Sequence, residues 1–85
     1  MECFVYVLKS LKDGNLYIGS TKDVKQRLSL HNRGKMRSTK GRIPFKLIHL
    51  ERFASRSEAV KRELFLKSSS GYAEKKKISE EDPQA

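Results

Sequence analysis

The feature that most restricts this chain is a short unbroken apolar run, Cys3-Phe4-Val5-Tyr6-Val7-Leu8, joined through Lys12-Asp13-Gly14-Asn15 to a second segment, Leu16 to Ser20. A continuous run with β-branched and aromatic members reads as a strand covered on both faces, hence a central one. The Asp-Gly signal closes an antiparallel hairpin between the two segments. Tyr6 and Tyr17 then stand on neighbouring strands, with register and facing left open.

The rest of the chain follows as helix, loop, strand, helix and tail. Asp23 with Gln26 reads as an N-cap and its reciprocal partner, opening a helix from about Val24 to Asn32 that Gly34 ends. Arg33 to Pro44, rich in Lys, Arg, Ser, Thr and Gly, reads as an exposed basic loop. Phe45 to Phe53 alternates with Phe45, Leu47 and His49 on one side and Ile48 and Leu50 on the other, the pattern of a third strand. Ser55 and Glu58 form a second capping box before a helix to about Lys67. Beyond Ser68 a short third helix is expected, with Tyr72 and Ile78 packing on the body. The expectation is one domain over residues 1–78 and a disordered acidic tail over 79–85.

Lysine and arginine number 19 against 10 acidic residues, a net charge of +9, and the acidic residues gather mainly in the last third. A polyanion is the expected partner. No stretch has the length of a transmembrane helix and no strongly amphipathic lipid-binding helix stands out, which favours nucleic acid over membrane. The lone Cys3 has no disulfide partner and reads as a small core residue, and the N-terminus lacks the series of a secretory signal, so a cytoplasmic protein is expected.

Glu63 is the most diagnostic residue, because it falls within the apolar stripe of Ala59, Val60, Leu64 and Leu66. A carboxylate there needs a partner: a stripe-edge salt bridge with Arg27 or Arg62, or a hard cation such as Mg²⁺ or Mn²⁺ that keeps several waters and takes further oxygens from a phosphate. No Cys/His cluster exists for zinc. Arg27 reads either as a surface helix cation or as a two-pronged phosphate clamp, with His31 one turn away to donate to the same group or relay a proton. Strand tyrosines are ordinarily core or edge residues. To serve as a base, a phenol with a reference pKa near 10 would have to be lowered, which nearby cations and a metal-bound water can do.

The ordered set Val5-Tyr6, Tyr17-Ile18-Gly19 with Ser20-Thr21, Asp23, Arg27-Leu28-Ser29-Leu30-His31-Asn32, Thr39-Lys40, Pro44, Glu51, Glu58-Ala59, Arg62-Glu63 and Leu66-Lys67 resembles the GIY-YIG nuclease family over about residues 3 to 67. In particular the chain is similar to small stand-alone bacterial members and is related to the N-terminal nuclease domain of the excision-repair endonuclease. The resemblance implies an α+β fold, a small three-stranded antiparallel sheet flanked by helices, and phosphodiester hydrolysis with one divalent cation, Mg²⁺ or Mn²⁺. Matched residue by residue, it implies that Tyr6 activates or flanks the attacking water, Tyr17 positions nucleophile and phosphate, and Gly19 is the motif glycine. Arg27 would stabilise the transition state, His31 takes a position held by histidine or tyrosine, and Glu63 would hold the metal.

Three positions depart from the family pattern. Phe4 replaces the first motif glycine, Ser20 stands where some relatives carry lysine, and Ser68 to Lys77 offers no match for a frequent asparagine. Lys22, Lys25, Arg33, Lys35, Arg37, Lys40 and Arg42 are either a phosphate-binding rim or a solvated loop. As a rim they bind without reading sequence, and about four phosphate contacts would weaken binding on the order of a hundredfold between about 50 and 200 mM salt. The expected function is a metal-dependent endonuclease acting on single-stranded or branched DNA, in repair or recombination, with RNA as a second substrate class and a homodimer or protein partner supplying selectivity. The alternatives are a non-cleaving adaptor of the same fold and an RNA-binding accessory protein.

Overall fold

The computed structural model describes residues 2–81. Strand β1 (Cys3–Ser10) is central in a three-stranded antiparallel sheet of order β2-β1-β3, with β2 (Leu16–Thr21) and β3 (Phe45–Phe53) on its flanks. Val5, Tyr6, Val7 and Leu8 are all buried, as an apolar run between two paired neighbours requires. The hairpin closes where Gly14 takes a positive φ of 75°, its N–H donating to the Ser10 carbonyl at 2.9 Å.

Helix α1 (Val24–Asn32) begins at Asp23, whose carboxylate accepts from the Gln26 N–H, and Gly34 follows it at φ 72°. Its last residue is tied to β3, since the Asn32 side chain accepts from the Phe45 N–H at 2.6 Å and donates to the Phe45 carbonyl at 3.0 Å. Helix α2 (Arg56–Lys67) starts at Ser55, which caps the Glu58 N–H. Helix α3 (Tyr72–Glu80) follows a short 3-10 turn at Ser69–Gly71.

The sheet separates two apolar clusters. On one face Cys3, Val5, Val7 and Ile18 pack with Ala59 and Leu66 of α2 and Ile78 of α3. On the other Tyr6, Leu8 and Phe45 pack with Val24 and Leu28 of α1 and with Tyr17.

Several expectations change. The β1–β3 pairing slips between Val7 and Leu8, so that Val7 opposes His49 while Leu8 opposes Leu47, leaving Ile48 as the extra residue. The simple alternation of β3 breaks there: Leu47 and Leu50 stand opposite Leu8 and Tyr6 on the α1 face, both exposed, while Ile48 and Phe53 pack against the α2 face. Leu64 is exposed, so the buried stripe of α2 is Ala59 and Leu66. The loop 33–44 is not wholly exposed: Thr39 is buried and Lys40–Arg42 forms a 3-10 turn. Tyr72 does not pack on the body, being 60% exposed, whereas Ile78 does. Helix α3 takes in Ser79 and Glu80, which the sequence placed in the tail, and residues 82–85 of that tail lie outside the described residues.

Ile78 is the buried residue of the third helix, which also carries Glu74 paired with Arg62 of α2. Ile78→Ala should destabilise the protein by about 2–5 kcal/mol, while Tyr72→Ala should stay within about 0.5 kcal/mol of the parent. Urea titrations followed by circular dichroism measure both.

Candidate active site

Tyr6 occupies the middle of β1, opposite Gly19 on β2 and Leu50 on β3. Its ring lies across Gly19: a Cβ at that position would stand 2.5 Å from the phenol oxygen and 2.7 Å from Cζ. The Tyr6 ring itself fills the space that a side chain at Gly19 would need. Tyr17, two residues along β2, comes diagonally onto the same face, with ring centroids 6.2 Å apart. The His31 ring closes the group, 5.9 Å from Tyr6 and 4.7 Å from Tyr17, edge-on to both.

His31 is fully buried, and both ring nitrogens have partners: Nε2 lies 3.2 Å from the Tyr6 hydroxyl and Nδ1 lies 2.8 Å from the Thr39 hydroxyl. Thr39 can donate onward to the Met36 carbonyl at 3.4 Å. With that proton so assigned, Nδ1–H donates to Thr39 and Nε2 is left to accept from the Tyr6 O–H, so each group has a partner. Burial, followed by the Arg27 charge, lowers the His31 pKa and keeps the imidazole neutral. Burial is also the main cause that pushes the Tyr6 phenol well above its ordinary value of 10. Tyr17 and Glu63 add to the rise, and Arg27 opposes it. In the free protein the cations do not lower this phenol, contrary to what a resting phenolate would need.

Glu63 approaches from α2. Its side chain is 17% exposed, and both oxygens are engaged: Ser20 Oγ donates to Oε1 at 2.6 Å, and the Lys67 ammonium pairs with Oε2 at 2.6 Å. The expected partners Arg27 and Arg62 are not used. Arg62 instead forks onto Glu51 at 2.8 and 3.0 Å and pairs with Glu74. No group of three or more His, Cys, Asp or Glu able to hold a metal exists among the described residues. One carboxylate that already draws an ammonium to its oxygen does fit a hard cation that keeps most of its water shell.

Beside it, a cleft of about 270 Å³ is lined by Arg27, Lys22 and Arg56 together with Ser20, Thr21 and Asp23. Of the predicted rim, only Lys22 joins Arg27 there. Lys25, Arg33, Lys35, Arg37 and Lys40 are exposed elsewhere. Arg42 leaves the rim altogether, donating to Asp13 at 3.0 Å and standing over Phe45. Sequence reasoning gave no role to Thr39, Lys67 or Arg56. Lys67, four residues after Glu63, was open to detection as a helical ion pair.

The sheet and its flanking helices together define a small α+β domain. Residues 2–77 match the GIY-YIG catalytic domain, and the chain belongs to the GIY-YIG family. It is 45% identical over 67 residues to a UPF0213 protein of Streptococcus pneumoniae, covering 78% of this chain and 67% of that protein. It is 42% identical over 78 residues to a UPF0213 protein of Staphylococcus saprophyticus, covering 91% and 94%. The solution NMR structure of the UPF0213 protein BH0048 from Bacillus halodurans shares the fold at a TM-score of 0.58 and 36% identity, over 98% of this chain and 88% of that one.

Two outcomes follow from the packing. Gly19→Ala should cost about 1–3 kcal/mol through collision with a buried ring, read from thermal unfolding. Because the His31 pKa is lower folded than unfolded, its stabilising share is complete above the ordinary value of 6.5 and is lost as the pH falls below it. Unfolding free energy should therefore decline from about pH 7.5 to about pH 5 and decline less in His31→Tyr. The depressed carboxyls of Asp13 and Glu51 add their loss only at lower pH, from their ordinary values of 3.8 and 4.5 downward.

Proposed function

We propose that this chain is a metal-dependent endonuclease that hydrolyses phosphodiester bonds in DNA, single-stranded or branched, in repair or recombination. The observation that carries the reading is the convergence on one phenol: Tyr6 meets His31 directly, and Arg27 and Glu63 both lie near enough to bias its ionisation in opposite directions. A core tyrosine does not ordinarily have a buried imidazole on its hydroxyl while a guanidinium and a carboxylate act on it from beyond contact.

In this reading the scissile phosphate enters the cleft at Arg27, whose planar fork engages two of its oxygens, with Lys22 and Arg56 adding positive charge. Water adds to phosphorus as the bond to the leaving sugar oxygen breaks. Tyr6 takes the proton from that water as its own proton passes to His31 Nε2, the imidazolium is stabilised by the hydrogen bond from Nδ1–H to Thr39, and the leaving sugar oxygen takes its proton from solvent. The raised phenol and the lowered imidazole oppose this transfer in the free protein, so it waits on the charges that the phosphate and the cation bring to the site. Tyr17, edge-on to His31, orients the group. Glu63 would hold Mg²⁺ or Mn²⁺, which supplies positive charge for the phosphate oxygens, while Ser20 fixes the carboxylate and Lys67 gives way or turns toward the phosphate. Selectivity beyond charge is left to a partner protein or a second copy. RNA remains the alternative substrate, and a non-cleaving adaptor the alternative class.

Cleavage of end-labelled single-stranded, duplex and branched DNA, with single-stranded RNA beside them, tests the reading in Mg²⁺, Mn²⁺ and EDTA. Products should require the metal, and Glu63→Gln should reduce turnover by about two to three orders of magnitude with binding retained. Binding without products on every substrate would replace the nuclease by the adaptor.

A further inference from the structure

Helix α3 carries Tyr72, Lys75, Lys76 and Lys77, none of which belongs to the site just described. The helix divides its lysines. Lys77 turns to a cleft shared with Glu51, Arg62, Glu74 and Glu81, where opposite charges surround it. Lys75 and Lys76 turn the other way and, with Tyr72, line a cleft of about 430 Å³ against the hairpin at Gly14, Asn15 and Leu16. No carboxylate lines this second cleft among the described residues. Tyr72 leaves 60% of its surface exposed, and the Lys75 ammonium stands 6.0 Å from its ring centroid. A lone exposed aromatic is ordinary. An exposed aromatic face beside two lysines in a cleft without counter-charge has the composition of a base-stacking platform with cations for the flanking phosphates.

Its position adds a length. Leu16 lines this cleft and Ser20 lines the Arg27 cleft, and both lie on edge strand β2, four residues apart on one face. At about 3.3 Å per residue their separation is about 13 Å, a span of a few nucleotides of single strand.

Resting on the nuclease reading for its register, we infer that Tyr72, Lys75 and Lys76 form a second subsite that binds the single-stranded flank of the substrate a few nucleotides from the scissile phosphate. Tyr72 supplies the stacking face and the lysines the phosphate contacts. Substrates with a single-stranded arm long enough to span β2 are held at both ends, and blunt duplex is held only at the first.

Fluorescence anisotropy with labelled single strands of about 4 to 16 nucleotides, and with a blunt duplex, tests this, alongside hydrolysis of bis(p-nitrophenyl) phosphate, which is too small to reach α3. Tyr72→Ala should weaken binding of the longer strands about tenfold, leave the shortest strands and the duplex unchanged, and leave hydrolysis of the small ester as in the parent. Tyr72→Phe, which keeps the stacking face, should restore affinity, and Lys76→Gln should lower the salt dependence of long-strand binding. Equal losses on duplex and single strands, or no loss on any strand, would overturn the subsite. Failure of the parent to hydrolyse any ester, with the length-dependent loss still present, would remove the nuclease reading and leave the subsite as a binding site.

Discussion

The contact on which the rest of the structure depends is the Tyr6 ring laid across Gly19 and ending on His31. It draws on four separate segments. β1 supplies the ring, β2 must be glycine where the ring crosses, α1 supplies the imidazole, and the loop after α1 supplies Thr39 to the far nitrogen. A polar group buried so deeply is costly unless partnered, and the chain Tyr6–His31–Thr39 partners each member in turn. No buried side-chain nitrogen or oxygen is left without a partner among the described residues. The loop that reads as merely basic is thereby anchored from within. Its conformation is further fixed by Ser10 Oγ, which donates to the Arg42 carbonyl at 2.6 Å, and by the Leu11 N–H, which donates to the Pro44 carbonyl.

The same burial sets the chemistry. A desolvated phenol and a desolvated imidazole both favour their neutral forms, so the resting pair carries no charge, and separating charge across it requires compensation from outside. Arg27 makes no ion pair among the described residues and lines the first cleft, and in the proposed reading it is the cation that meets the phosphate. Glu63 is the anion whose charge is presently balanced by Lys67. A phosphate at the first and a cation at the second would add to this balance with opposite signs. In the proposed reading the field at Tyr6 therefore changes when substrate and cation bind.

What was legible in the sequence was local. Asp23 and Ser55 cap the helices they were expected to cap, Gly14 and Gly34 hold the left-handed φ their turns demand, and the hairpin and third strand fall where the apolar runs lie. Each of these signals acts over a few residues, through backbone preference or a short hydrogen bond. What escaped depends on partners far along the chain. Arg42 pairs with Asp13 across 29 positions, and Glu63 accepts from Ser20 across 43, so neither pairing leaves a spacing to detect. The register slip opposite Val7 and Leu8 inverts the facing of half of β3, and a one-residue bulge has no signature in an alternating pattern. Thr39 looked like one more hydroxyl in a polar loop because its burial is decided by His31.

The two clefts differ in how they treat charge. At Arg27, guanidinium and ammonium groups share the lining with Asp23, and the nearby carboxylate of Glu63 sets a local limit on how strongly an anion is held. At Tyr72 the lining is cationic without relief, and the aromatic face is sequence-tolerant. Tight binding at a reacting phosphate would lower the ground state together with the transition state and gain nothing in rate, whereas binding a remote flank supplies affinity that leaves the reacting centre free. In the proposed reading, affinity and chemistry divide between opposite ends of one edge strand. Strand β2, open along its outer edge in the β2-β1-β3 order, is the one element whose residues line both clefts.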